Sequence, residues 1–155
     1  MHPIQKFFVK NTVAFTLKML AFVARRPKWR KLSDWLTTTL ANSTIRSKRI
    51  RQATDLQQLG EQWQRGFPSK KQVPISHIDE RTVYAEIHTP CPLRGTGDTH
   101  ACYAMMRYDR EIVKKAGGVF VVLQSQATPG QTFCKVAMRF QQADVSDLVS
   151  AHLQK

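Results

Sequence analysis

The sequence predicts an α+β fold, an antiparallel sheet of two hairpins with packed helices, preceded by a basic helical N-terminal region. Three observations carry that prediction. Apolar residues recur at helical spacing through residues 4–63, two pairs of β-branched runs closed by turns follow, and the charge changes abruptly between the halves. Residues 1–71 hold 15 Lys and Arg against Asp34, Asp55 and Glu61, whereas residues 72–155 hold nine against eight. Such a split points to a basic attachment region (1–66) joined to a conventional α+β domain (67–155). A chain of 155 residues with 42% apolar content suffices for one modest core and an appendage.

The first helix is expected over residues 4–24, where Phe7, Phe8, Val13, Phe15, Leu17, Leu20 and Phe22 are interrupted by Lys6, Lys10 and Lys18. Those lysines share a broad polar side opposite the phenylalanines. No charge-free run is long enough to span a bilayer. A secretory signal places its basic residues ahead of an apolar core, yet Arg25, Arg26, Lys28, Arg30 and Lys31 follow it, which argues for a cytoplasmic chain. Pro27 should end the helix near Arg26. With Trp29 beside the basic cluster, residues 4–31 suit a helix lying peripherally on an anionic membrane surface, on its inner face. Packing of the same apolar face on the domain or on a partner chain is the alternative. Arg46, Lys48, Arg49 and Arg51 could neutralise phosphates, but no base-reading motif accompanies them, which argues against a nucleic-acid partner.

Leu32, Trp35, Leu36 and Leu40 form one face of a second helix beginning near Ser33. Thr54 caps a third, with Leu56, Leu59 and Trp63 on one side, and Gly66 and Pro68 break it at the expected domain boundary. Residues 73–78 and 82–88 then read as a hairpin around Asp79, Glu80 and Arg81. Asp98 or Thr99 caps a helix running to about Ala116, with Ala101, Met105, Tyr108 and Ile112 as its buried stripe. Asp109 and Arg110 read as its solvated face. Residues 119–126 and 132–140 give a second hairpin around the turn at 127–131, and residues 144–153 read as a terminal helix.

Chemistry concentrates in Cys91, Cys102 and Cys134. An odd number of cysteines argues against a disulfide framework and for reduced thiols, as fillers, nucleophile or metal ligands. Cys91 should follow a strand, Cys102 should sit in a first helical turn and Cys134 in the last strand, so three elements can bring them together. The positive helix end favours a thiolate at Cys102, and the amides of Gly95 and Gly97 could hold an anion nearby. Intervals of 11 and 32 residues match no zinc-ribbon pattern, so a zinc site on Cys91, Cys102 and Cys134 rests on residue type alone. His100 gains interest as a neighbour of Cys102, while His88 reads as a surface residue of the hairpin.

Cys91 with Pro92, Cys102, the Tyr108 and Asp109 pair, and PGQTFCKVAMRF at 129–140 together resemble the L-2-amino-thiazoline-4-carboxylic acid hydrolase family over residues 84–140. Gly130, Cys134 and Phe140 are also similar to the 4-vinyl-reductase-type small-molecule-binding domain, in which cysteines can hold zinc. The first resemblance implies hydrolytic opening of a cyclic amidine. In that reaction Cys91 or Cys102 attacks as thiolate with His100 or Asp98 moving protons, or the cysteines bind zinc and the metal activates water. Arg94 would then pair with a substrate carboxylate, beside Gly95 and Gly97. The second resemblance implies a noncatalytic module for a small apolar or aromatic ligand. The chain departs from the hydrolase pattern at Lys135, where an acidic residue usually follows the last cysteine, and at Pro129 and Gly130, which replace an acidic turn. An apolar cavity beside Cys91, rather than a polar cleft shared by Asp98, His100 and Cys102, would favour the module.

Overall fold

A computed structural model describes residues 3–154, with side chains from Thr12 onward. Lys6, Phe7, Phe8 and Lys10, on which part of the amphipathic reading rests, have side chains outside the described residues.

The chain is α+β. Helix α1 (Pro3–Ala24) ends just before Pro27, which opens a single 3-10 turn (Pro27–Trp29) leading into α2 (Arg30–Ser47). Asp55, rather than Thr54, caps α3 (Leu56–Gln64) by accepting the Gln58 amide at 2.8 Å. Strands β1 (Ile75–Ile78) and β2 (Val83–Ile87) form the first hairpin, whose turn is fixed by Asp79 accepting the amides of Arg81 and Thr82. Asp98 caps α4 (Thr99–Met105), α5 (Arg107–Lys115) follows, and β3 (Gly118–Gln124) and β4 (Cys134–Phe140) complete the sheet. Its order is β1-β2-β4-β3, antiparallel throughout. No helix of the described residues is long and apolar enough to cross a membrane.

One face of the sheet carries the core. Val83, Ala85 and Ile87 of β2 align with Met138, Val136 and Cys134 of β4, and Phe120 and Val122 of β3 extend the layer. Onto it pack Leu59 and Trp63 of α3 and Ile112 and Val113 of α5, all fully buried. Gly60 permits this approach, since a Cβ there would lie 2.7 Å from Ile75 Cδ1 and 3.0 Å from Val83 Cγ1. The core therefore crosses the boundary expected at residues 66–68. Leu59 and Trp63 before the loop belong to the same cluster as the strands after it.

Two elements differ from expectation. The helix expected over residues 99–116 bends at Met106 (φ −69°, ψ 2°) into α4 and α5. The bend lets Ala101, Cys102 and Met105 face one apolar cluster while Ile112 and Val113 face the main core. The terminal helix expected over 144–153 is instead a series of turns. Asp144 bonds locally to the amide and hydroxyl of Ser146, Asp147 is held by Arg139, and the Ala151 amide donates to the Val122 carbonyl at 2.7 Å. The segment thus covers the exposed edge of β3 rather than closing on itself.

Arg139 is the anchor of that cover. Its buried guanidinium donates to the Asp147 carboxylate at 2.6 and 2.8 Å and to Thr82 Oγ1 at 2.8 Å. The Arg139 bonds hold the Asp147 carboxyl down at about 2, below its ordinary 3.8. Because the folded value is depressed, the contribution is present above about pH 4 and disappears as pH falls towards about 2. Asp147→Asn should therefore lower the melting temperature at neutral pH and flatten its decline between about pH 4 and 2. Thermal melts across that range check this, and a variant profile parallel to wild type would remove the pair from the account.

Candidate functional site

A cavity of about 370 Å³ lies between α1 and the body of the domain. Val13, Thr16, Leu17 and Leu20 of α1 form its roof, and Leu40 and Thr44 of α2 form a wall. The α4 and α5 junction supplies Cys102, Met105, Met106, Tyr108 and Asp109, the end of the sheet supplies Ile87 and Cys134, and the turn after β3 supplies Gln126. Cys91 and Thr89 enter from the loop after β2. The lining is predominantly aliphatic, thioether and thiol. All three cysteines are free and line this one space, as the sequence led us to expect from their three elements.

Cys102 and Cys134 are buried, and Cys91 is half-buried. The Cys102 thiol donates to the sulfur of Cys134, which pushes Cys102 above the usual thiol range and holds Cys134 below it. Burial reinforces the effect at Cys102 and opposes it at Cys134. The Gln126 amide, 3.3 Å from Cys134 Sγ, adds a second donor to that sulfur. Cys134 is thus the sulfur best prepared to carry negative charge. Burial pushes the Cys91 thiol up, although its sulfur accepts the Leu93 amide at 3.4 Å. Among the described residues, no three His, Cys, Asp or Glu side chains are grouped to hold a metal ion, so the zinc set expected on Cys91, Cys102 and Cys134 is not assembled.

The other expected site residues have structural partners. Asp98 accepts the Ala101 amide at 2.9 Å as the cap of α4 and meets Arg25 of α1 at 3.6 Å. His100 is exposed, with its ring 5.9 Å from that of His152. Neither lines the cavity. Arg94 turns to Gln126 Oε1, at 3.0 Å from Nε and 2.7 Å from Nη2, and to the Thr132 carbonyl at 2.8 Å. Gly95 and Gly97 have positive φ (68° and 75°), and their amides donate to the carbonyls of Gln126 and Ala127. Loop 91–98 is therefore fastened to the turn after β3, and its expected anion-holding groups are engaged in that fastening. His88 is a surface residue that stacks on Phe133 at 5.0 Å.

Three residues missed by sequence reasoning organise the site. Gln126, buried, accepts from Arg94 and donates through Nε2 to the carbonyls of Ile87 and Thr89, both at 3.0 Å. Nothing in the run QSQ distinguishes it. Asp109, expected on a solvated face, is buried and accepts the Trp63 indole N–H at 2.8 Å. It lies four residues after Met105 on the buried stripe, a signal available from spacing. Burial raises its carboxyl to about 6, against the lowering effect of the Trp63 bond. Thr89 lines the cavity with a buried hydroxyl that has no hydrogen-bond partner among the described residues. Tyr108 donates to the Gly66 carbonyl at 2.7 Å, and burial pushes its phenol up to about 12. On a different side of α2, the basic run lines an open groove, where Arg46, Arg49 and Arg51 face Lys114 and Lys115.

Comparison with protein-family models, characterised proteins and solved structures finds no match to this chain.

Asp109 supplies a stability test. Its folded value of about 6 exceeds the ordinary 3.8, so the folded state binds that proton more tightly than the unfolded chain. The resulting stability is fully present below about pH 4 and is lost as pH rises through about 6, a cost on the order of 3 kcal/mol at neutral pH. Asp109→Asn retains an acceptor for Trp63 and should melt higher than wild type at pH 8 while losing the decline between about pH 4 and 6. Melting curves at both ends of that window check it, and an unchanged decline would show that Asp109 does not titrate there.

Proposed function

We propose that this protein binds a small, largely apolar or aromatic molecule in the cavity beneath α1, with the thiols as part of the lining rather than as a hydrolytic centre. The single observation that carries the reading is the partly open, predominantly apolar cavity on which Cys91, Cys102 and Cys134 converge, with Asp98 and His100 outside it. Its volume of about 370 Å³ falls in the range of small-molecule sites. A few polar side chains on the lining, Thr16, Thr44 and Asp109 among them, interrupt the apolar surface and can orient a ligand carrying one polar atom. This is how such sites combine affinity with orientation.

A second reading rests on Cys134 and Asp109. A thiol held below its usual range and a carboxyl near 6 share the cavity, and nucleophile and proton carrier are what ring-opening hydrolysis of a cyclic amidine needs. The carboxylate-binding role of Arg94 loses support on this geometry, because its guanidinium is engaged by Gln126 and Thr132.

Pyrene, whose emission reports apolar surroundings, should bind the purified chain with a dissociation constant on the order of 10 µM or tighter. Leu17→Trp, which fills the cavity from its roof, should weaken binding at least about tenfold, and alkylation of Cys91 at the rim should weaken it without any substitution. Equal affinity for wild type, Leu17→Trp and the alkylated protein would remove the cavity as the site. Conversion of 2-aminothiazoline-4-carboxylate to carbamoyl cysteine, lost in Cys134→Ala, would replace this reading with the hydrolytic one.

A further inference from the structure

Helix α1 has two opposed faces over the same two turns. Thr16, Leu17 and Leu20 look into the cavity, while Phe15, Met19 and Phe22 stand in solvent at 70%, 41% and 52% exposure. Their spacing of four and three residues makes one continuous stripe. At its end Phe22 meets Trp29 edge-to-face at 6.0 Å, and the Arg26 guanidinium lies over both rings, 3.4 and 5.1 Å from their centroids. Trp35, 62% exposed, and Leu32 continue the apolar exposure onto α2. A helix face that serves only packing would bury its aromatics, so this one is short of a partner.

The charges around the stripe identify the partner's chemistry. Lys18, Arg25, Arg26, Lys28, Arg30 and Lys31 are all exposed. The single carboxylate of the segment, Asp34, is paired with Arg107 at 3.4 Å. A second copy of the chain would bring the same cations face to face, so a self-association through this surface is opposed by like charge. Exposed tryptophan and phenylalanine flanked by lysine and arginine match the boundary of an anionic bilayer, where rings enter the acyl region and cations meet phosphates.

Resting on the cavity reading above, we infer that the outer stripe of α1 docks on an anionic membrane, and that docking draws α1 from its roofing position so that the cavity takes its ligand directly from the lipid phase. The ligand class is thereby narrowed to apolar molecules that partition into membranes. Lifting the roof in water would expose Leu17, Leu20 and Met105, whereas lifting it against acyl chains leaves them in apolar surroundings. The hold on α1 combines the apolar packing of Ala21 with Leu93, Ala101 and Cys102 and one exposed ion pair, Arg25 with Asp98 at 3.6 Å, and a membrane competes for both, with acyl chains for the apolar face and lipid phosphates for the cation.

The test uses the full chain and two vesicle preparations, pure phosphatidylcholine and phosphatidylcholine mixed with phosphatidylglycerol. Sedimentation should show binding to the anionic vesicles alone, weakened by about 0.5 M sodium chloride. Phe15→Ser with Phe22→Ser and Trp35→Ser should reduce that binding at least about tenfold while leaving pyrene affinity in vesicle-free buffer unchanged, which also shows that the variant is folded. Stopped-flow transfer of pyrene from anionic vesicles to the protein should accelerate in proportion to vesicle concentration, as collision requires. A transfer rate independent of vesicle concentration, or equal binding to both vesicle types, would overturn the inference while the cavity reading stands. A concentration-dependent dimer abolished by the triple variant would overturn it in favour of self-association. Vesicle binding without pyrene affinity in buffer would overturn the cavity reading on which the inference rests.

Discussion

A fully buried indole N–H has to find an acceptor, and Trp63 finds the Asp109 carboxylate 2.8 Å away. That contact joins α3, at the centre of the core, to the first turn of α5. The position of α5 in turn fixes the bend at Met106, and the bend aims Cys102 and Met105 at the space under α1. The carboxylate also lines the cavity, so one side chain belongs to both the core and the candidate site. Removing a buried acceptor of this kind leaves the indole unsatisfied, which is costlier than the bond's own net worth.

Gln126 plays the corresponding role on the other side. Its amide group gathers Arg94, the Ile87 and Thr89 carbonyls and the backbone of Cys91, while its own N–H reaches Cys134. The loop carrying Cys91 is thus held against the end of β4, and three cysteines distant in sequence share one lining. The result is a thiol-lined apolar space with fixed walls and one roof. Walls made of sheet and α5 are tied into the main core, whereas the roof is a helix whose opposite face is exposed aromatic surface. That asymmetry links the binding reading to the membrane inference.

Much of the fold was legible because its signals are local. β-branched runs separated by Asp79 or by the turn at 127–131 announced both hairpins, and Pro27, Gly66 and Asp98 marked helix ends. Placing each cysteine on its own element allowed the three to meet without requiring it, and the fold brings them to one cavity. What was not legible depended on tertiary partners. The segment 144–153 has helical composition, yet Arg139 and the free edge of β3 offered Asp147 and Ala151 better bonds than a helix would. Arg94, Gly95 and Gly97 looked like ligand-binding groups, and only Gln126, 30 or so residues away, explains their engagement. The split in charge suggested two units, but charge describes the surface, and Leu59 with Trp63 place the first region's third helix in the shared core.

The central claim is that an accessible apolar cavity exists between α1 and the three cysteines. Diffraction from crystals pressurised with xenon tests it most directly, because xenon enters apolar cavities and is located by its electrons. The account predicts a xenon atom in contact with Leu20, Cys102 and Met105. A structure in which no xenon binds there, and Leu17 and Leu20 close over Cys102 and Met105 to leave no space between them, would contradict it.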